Sequence, residues 1–273
     1  MSGIIRAAAL LCAVAGAAEF CGAGVVIKGQ NQDMRDKKTV DVTMLVDASR
    51  LRTNMKGENV DASMIFLLQG DDYKMLVIDN SKKEYRVLDR KTIEQIEVQV
   101  TGAMAQMQEQ MKKMPPEQGA MMEKMMGKMG AMRGEKAKPV QIAYKKIGSG
   151  MVNGRACTKY EGMLEAEKLA EICAAPPQSL DLTPEDFAVV EKMTAVFEDM
   201  AKMMGQHLFT PNQSMKLSDK QIDGMPIEFI QFQSGQPASK FELKDSSRQN
   251  FSDADFSPGD AKEVKMPLGS DNN

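Results

Sequence analysis

Along most of the chain, apolar and polar residues alternate with a period of two, which is typical of β-strands that bury one face. The alternation is clearest from Val40 to Val46 and from Val60 to Leu68. Further strands are predicted over 50–56, 73–79, 83–88, 140–147, 155–164, 168–175, 226–233 and 239–245. Short polar segments between them, including Gly148 to Gly150, have the chemistry of turns. The pattern predicts a meander of hairpins.

Two stretches follow the spacing of an α-helix instead. From Ile93 to Met114, apolar residues recur every three or four positions until two prolines interrupt the pattern. The second stretch begins at Pro184, where Thr183 and Asp186 have the spacing of a capping box. The sequence therefore predicts a mainly β (α+β) protein with helices.

The N-terminus has the layout of a secretory signal peptide over residues 1–18, with Arg6 as its one charge, an apolar run and small residues before the cleavage point. The apolar run is shorter than the roughly 20 residues that a membrane span needs. We therefore expect a periplasmic or otherwise exported protein with no transmembrane segment after signal removal. Whether Cys21 is free, paired or lipidated stays open.

Charge and composition argue against several functions. The 38 acidic and 35 basic residues nearly balance, and the basic ones are dispersed, so nucleic acid is not an expected partner. The chain has one histidine, His207, and no strong nucleophile, phosphate-binding or dinucleotide motif. We therefore expect neither an enzyme nor a cofactor. No oligomeric state follows from the sequence.

In an exported protein, Cys157 and Cys173 are expected to form a disulfide. If 155–164 and 168–175 form a hairpin that turns at Glu165, these two cysteines stand directly opposite each other. The alternative is a pair of reduced, buried cysteines.

Methionine is the compositional outlier, with 25 residues in all and ten between Ala103 and Met132. In one interpretation, a flexible apolar helix face binds a lipid or another apolar ligand; its residues are Ile96, Val100, Met104, Met107 and Met111. In a second, thioethers at helical spacing bind Cu(I); the best cluster is Met121, Met122, Met125, Met126 and Met129. In a third, the stripe is ordinary core of a structural envelope protein with no small ligand.

Several strings along the chain also carry a family resemblance: 75–79 with 83–89, 152–160, the helix after Pro184, 223–226 and 253–259. Together they resemble the exported family called domain of unknown function 4412, which is similar to the lipoprotein-carrier (LolA-like) superfamily. The resemblance implies a curved antiparallel sheet or half-barrel packed over helices, and this sequence departs from the family in its Met-rich helical insertion at 91–134. It places this domain at 19–257, between the signal peptide and a polar tail at 258–273 that is expected to fray. It implies a binding or carrier protein, as relatives carry lipids or acylated proteins.

Overall fold

A computed structural model describes residues 22–113, 142–203 and 221–265 of the chain. Within these residues, twelve strands form one sheet. The strands are β1 Gly22–Asp33, β2 Thr39–Val46, β3 Arg50–Gly57, β4 Val60–Gln69, β5 Asp72–Asp79, β6 Glu84–Asp89, β7 Ala143–Val152, β8 Arg155–Leu164, β9 Glu167–Ala175, β10 Met225–Gln233, β11 Gln236–Phe251 and β12 Lys262–Glu263. The α-helices in this part of the chain are α1 Arg90–Lys113 and α2 Pro184–Met203, and short 3₁₀ turns lie at Pro177–Leu180 and Asp253–Phe256.

The sheet is open, with the order β12-β6-β5-β4-β3-β2-β1-β11-β10-β9-β8-β7. Neighbouring strands are antiparallel, except that β12 runs parallel to β6. The predicted meander is present as β1 to β6 and as β7 to β9, and β11 joins the two halves by pairing with β1. The prediction of a mainly β protein is confirmed, and its sheet is curved and open.

The main core lies on one face of the sheet, which we call the inner face. Cross-strand pairing aligns six buried side chains, the buried row, across this face. The row consists of Val25, Val46, Leu51, Phe66, Met75 and Leu88. Val189, Val190, Val196 and Met200 of α2 belong to the same hydrophobic cluster. The apolar stripe predicted for this helix is therefore a burial surface.

The opposite, outer face has a smaller core, which the C-terminal segment completes. Phe251 and Phe256 belong to a cluster with buried side chains of β1, β4 and β5. Arg50 holds this segment, because its guanidinium lies 4.3 Å from the centroid of the Phe256 ring and 2.6 Å from an Asp253 carboxylate oxygen. Pairing of β12 with β6 then orders the beginning of the tail that was expected to fray.

The hairpin β7–β8 differs from its prediction. The chain does not turn at Gly148 to Gly150 but continues as β7, and the turn falls at Asn153 and Gly154, both with positive φ. Asn-Gly is the preferred pair for such a two-residue turn. A Cβ at Gly150 would lie 2.4 Å from Cε of Lys159, so a larger residue there would require the flexible Lys159 side chain to move.

The predicted disulfide between Cys157 and Cys173 is present, with the Cα atoms 5.4 Å apart. The predicted register is wrong, however, because Lys159 stands opposite Cys173. Two residues form the turn between Leu164 and Glu167, and a bulge after Gly162 moves the register further. The total shift of two residues keeps both cysteines on one face, since side chains alternate with a period of two.

Curvature of the sheet brings the β7–β8 turn to β11, although β9 and β10 separate these strands in the sheet order. Asn153 donates to the carbonyl of Leu243 and to Glu242, whose carboxylate is also 2.7 Å from Lys240 Nζ and 2.6 Å from Lys244 Nζ. Hydrogen bonds from Lys240 and Lys244 lower the pKa of Glu242 to about 2.

Removing the disulfide by Cys157→Ala/Cys173→Ala is expected to lower the free energy of unfolding by about 3 kcal/mol, because the cross-link restricts the unfolded chain. Urea denaturation of the variant and of the oxidised wild type measures the difference. Reduced wild type is the control and should resemble the variant; equal stability of all three would contradict the expected contribution.

Because the pKa of Glu242 is lowered in the folded state, its contribution to stability is present above its ordinary pKa of 4.5 and is lost as the pH falls towards about 2. Glu242→Gln should therefore be destabilising at neutral pH, and its difference from wild type should shrink over this range. Denaturation as a function of pH measures it. Glu58→Gln, at an exposed ion pair with Lys38, is the control and should have little effect at any pH.

Candidate functional site

The inner face of the sheet is covered unevenly. Beside the buried row, cross-strand pairing aligns a second row, the half-open row, which consists of Ile27, Met44, Thr53, Met64 and Val77. Every side chain of the buried row is at most 8% exposed, whereas Val77 is 40% exposed. Ile27, at the β1 end of the row, is buried, and Met44 and Met64 are half-buried. Within the described residues, this apolar surface is therefore only partly covered.

A cleft of about 350 Å³ opens between α1, α2 and the beginning of β5. Its apolar lining consists of Tyr73, Ile93, Ala195 and Val196, and its charged lining consists of Arg90, Glu94, Lys192 and Asp199. Three of the apolar residues are buried, while the four charged residues are exposed. The cleft therefore has an apolar floor and a charged rim, an arrangement that can hold an apolar group and leave a polar group in water.

The first turn of α1 positions one wall of the cleft. Asp89 ends β6 and caps α1, accepting hydrogen bonds from the backbone N–H of Thr92 at 2.7 Å and from its hydroxyl at 2.6 Å. These bonds lower the pKa of Asp89, with the Thr92 hydroxyl as the largest cause. Because the helix begins directly after the strand, Arg90 and Ile93 are held next to β5.

The N-terminus of α2 positions the opposite wall. The predicted capping box is confirmed: Thr183 N–H donates to Asp186 at 3.0 Å, and Asp186 N–H donates to the Thr183 hydroxyl at 3.2 Å. Arg248 of β11 lies 3.3 Å from the buried Asp186 carboxylate and donates to the carbonyl of Asp181. These contacts fix the helix that carries Ala195 and Val196 to the sheet.

Tyr73 links the cleft to the core. Its ring stacks on Phe66 of the buried row at a centroid distance of 5.7 Å, and the Arg90 guanidinium lies 6.0 Å from the centroid of the Tyr73 ring. Arg90 is also 3.5 Å from Asp72, so it is held at the rim by two neighbouring residues of β5. Burial raises the pKa of Tyr73, so the phenol is neutral at physiological pH.

The structure describes only part of the predicted ligand-binding stripe. Ile96 is half-buried and packs against the main core, one turn after Ile93 in the cleft. Four further residues of the stripe lie on α1, but their side chains are outside the described part: Val100, Met104, Met107 and Met111. The five methionines predicted for Cu(I), Met121, Met122, Met125, Met126 and Met129, also lie outside it, as do Cys21 and His207.

Sequence reasoning missed Tyr73, Ala195 and Val196 as site residues. Two of them have a local explanation, since Tyr73 follows the alternation of a strand and Val196 belongs to the apolar face of a helix. The charged residues of the cleft rim include Glu94 on α1 and Lys192 on α2. What the pattern could not provide is that the two helices approach each other over the beginning of β5.

The fold and cleft define a mainly β protein with a small concave site between two helices. No known protein-family model matches the chain, and comparison with curated proteins gives no match either. The resemblance to domain of unknown function 4412 therefore stays a prediction. Neither helix within 22–113, 142–203 and 221–265 combines the length and apolar character that crossing a membrane requires.

Comparison with solved structures gives similarities at low TM-scores. An uncharacterised conserved protein from Thermus thermophilus has a TM-score of 0.43 at 9% identity, with 89% of this chain and 90% of that chain covered. PNGF-II has a TM-score of 0.38 at 7% identity, with 89% and 31% covered. The MucA/MucB complex of Pseudomonas aeruginosa has a TM-score of 0.37 at 7% identity, with 89% and 59% covered. At these scores, neither a fold family nor a function is assigned.

Two methionines on neighbouring strands test the uneven cover of the inner face. Met75→Ala, in the buried row, should lower the free energy of unfolding by about 2–5 kcal/mol, because it leaves a cavity. Met64→Ala, in the half-open row, should cost about 1 kcal/mol or less, since its side chain already contacts water. Chemical denaturation measures both; equal losses would mean that Met64 is covered in solution.

Proposed function

We propose that this protein is an exported binding or carrier protein that accepts an apolar ligand, or the apolar part of a lipid, in the cleft between α1 and α2. The observation that carries the proposal is the combination of an apolar floor, formed by Tyr73, Ile93 and Val196, with an exposed charged rim. The volume of about 350 Å³ is within the range of about 300–1,000 Å³ that small-molecule sites occupy.

The half-open row supports an apolar ligand that extends beyond the cleft. Met44 and Met64 are flexible and polarizable, and such side chains adapt to ligands of irregular shape. We propose that the curved sheet acts as a half-barrel whose inner face, together with the two helices, encloses the ligand. The stripe predicted for α1 is the part of this proposal that rests on the sequence.

Export is the second part of the proposal. The signal-like N-terminus is a sequence prediction, and the disulfide between Cys157 and Cys173 supports it, because such bonds persist in oxidising compartments. We also propose binding rather than catalysis. The charged side chains of the cleft are exposed at its rim, where water screens them, and catalytic groups are more often desolvated.

Filling the cleft tests the binding site. Ala195→Trp should weaken the binding of dansyl-labelled undecanoic acid by about tenfold or more, because the indole occupies space that the acyl chain needs. Fluorescence titration measures the affinity. Ala188→Trp, at an exposed position two turns earlier on α2, is the matched control and should bind like wild type.

Other outcomes would change the proposal. If Met64→Glu abolishes binding and Ala195→Trp does not, the ligand lies on the half-open row and the cleft assignment is wrong. If the purified protein carries no lipid in native mass spectrometry and wild type does not bind the probe, the binding function itself is wrong. Circular dichroism and thermal denaturation of each variant verify that the fold is intact.

A further inference from the structure

Among the residues that the structure describes, one edge of the sheet is a long strand with a neighbour on one side only. In the described chain, β7 pairs with β8 and ends the strand order, whereas the edge at the other end is the two-residue strand β12. Near its beginning, the backbone N–H of Tyr144 donates to the side chain of Gln221 at 2.8 Å. Beyond this contact, residues 145–152 form an edge to which a further strand can be added.

The side chains of this edge combine apolar and cationic groups. Ile147 is 49% exposed and Met151 is 71% exposed, and both belong to the small set of large apolar side chains that the described residues leave open. Lys145 and Lys146 are also exposed, and neither makes an ion pair within the described part of the chain. The edge therefore offers two apolar contacts and two unpaired positive charges.

The segment between these groups has almost no side-chain volume. Gly148, Ser149 and Gly150 are consecutive, and a Cβ at Gly148 would meet no atom within 4 Å, whereas the Lys159 side chain already lies against Gly150. Bulky side chains on a neighbouring strand stabilise edge glycines by covering them. An added strand with a large apolar residue opposite Gly148 would therefore gain contacts that β7 itself does not supply.

We infer that β7 is a docking edge for an extended, acidic segment of a partner protein, which pairs with it as an additional antiparallel strand. Main-chain hydrogen bonds would provide affinity, and acidic side chains opposite Lys145 and Lys146 would provide specificity. A second copy of this chain fits less well, because it would bring two further lysines to the same edge. It would also place a second bulge beside the one between Lys146 and Gly148.

The inference is independent of the proposed ligand cleft and is tested with the full-length protein. The probes are fluorescein-labelled peptides of alternating valine and threonine with a central phenylalanine, ending in either two glutamates or two lysines. Fluorescence anisotropy should show that the glutamate peptide binds about tenfold or more tightly than the lysine peptide, with a preference that weakens as salt is added.

Two changes separate strand pairing from simple charge attraction. Lys145→Glu/Lys146→Glu should reverse the preference between the two peptides, whereas Lys56→Glu/Lys91→Glu, the same charge change at two exposed lysines of β3 and α1, should leave it intact. The glutamate peptide is also made in two N-methylated forms, one for each set of alternate amides. The form methylated on the set that faces β7 should not bind, because it lacks the main-chain donors without a change in charge.

Several results would overturn the inference. Equal binding of the two peptides, or undiminished binding of both N-methylated forms, would exclude an acidic strand as the occupant. Analytical ultracentrifugation that shows a dimer excluding the peptide would assign the edge to a second copy. Binding of anionic vesicles or an oligonucleotide, lost in Lys145→Glu/Lys146→Glu without any peptide preference, would assign the lysines to another class of partner.

Discussion

Burial of one continuous row of side chains across the inner face is the constraint on which the rest of the structure depends. The row crosses six strands from Val25 on β1 to Leu88 on β6, and each of its members is excluded from water. An antiparallel sheet can leave one face in solvent only if the other is covered. Here α2 shares the core of the covered face, and contacts at Asp186 and Arg248 fix its beginning to β11.

The curvature of the sheet determines which of its elements come into contact. The β7–β8 turn reaches β11 through Asn153, which donates to Glu242, and Glu242 also forms ion pairs with Lys240 and Lys244. The disulfide holds β8 against β9 in the same half of the sheet. A flat sheet of this order would keep the β7–β8 turn and β11 apart, since two strands lie between them.

The candidate site lies where α1 begins, directly after β6. Asp89 starts α1 directly at the end of β6, so the helix has no loop to move it away from the beginning of β5. Tyr73 therefore stacks on Phe66 of the core and also lines the cleft between the two helices. Incompletely buried apolar surface is typical of ligand-binding grooves. The half-open row, on the neighbouring part of the inner face, is also incompletely buried.

The sequence by itself determined the strands with clear alternation, the capping box of α2 and the pairing of Cys157 with Cys173, because these depend on local spacing. It misplaced the turn of β7–β8, although Asn153-Gly154 was the stronger local signal. It also misplaced the cysteine register, because neither the two-residue turn between Leu164 and Glu167 nor the bulge after Gly162 leaves a mark in the apolar pattern. Only the tertiary structure decided that Tyr73, Ile93 and Val196 share one cleft. Periodicity identifies which face of an element is buried, but the partner that buries it is set by the curvature of the whole sheet.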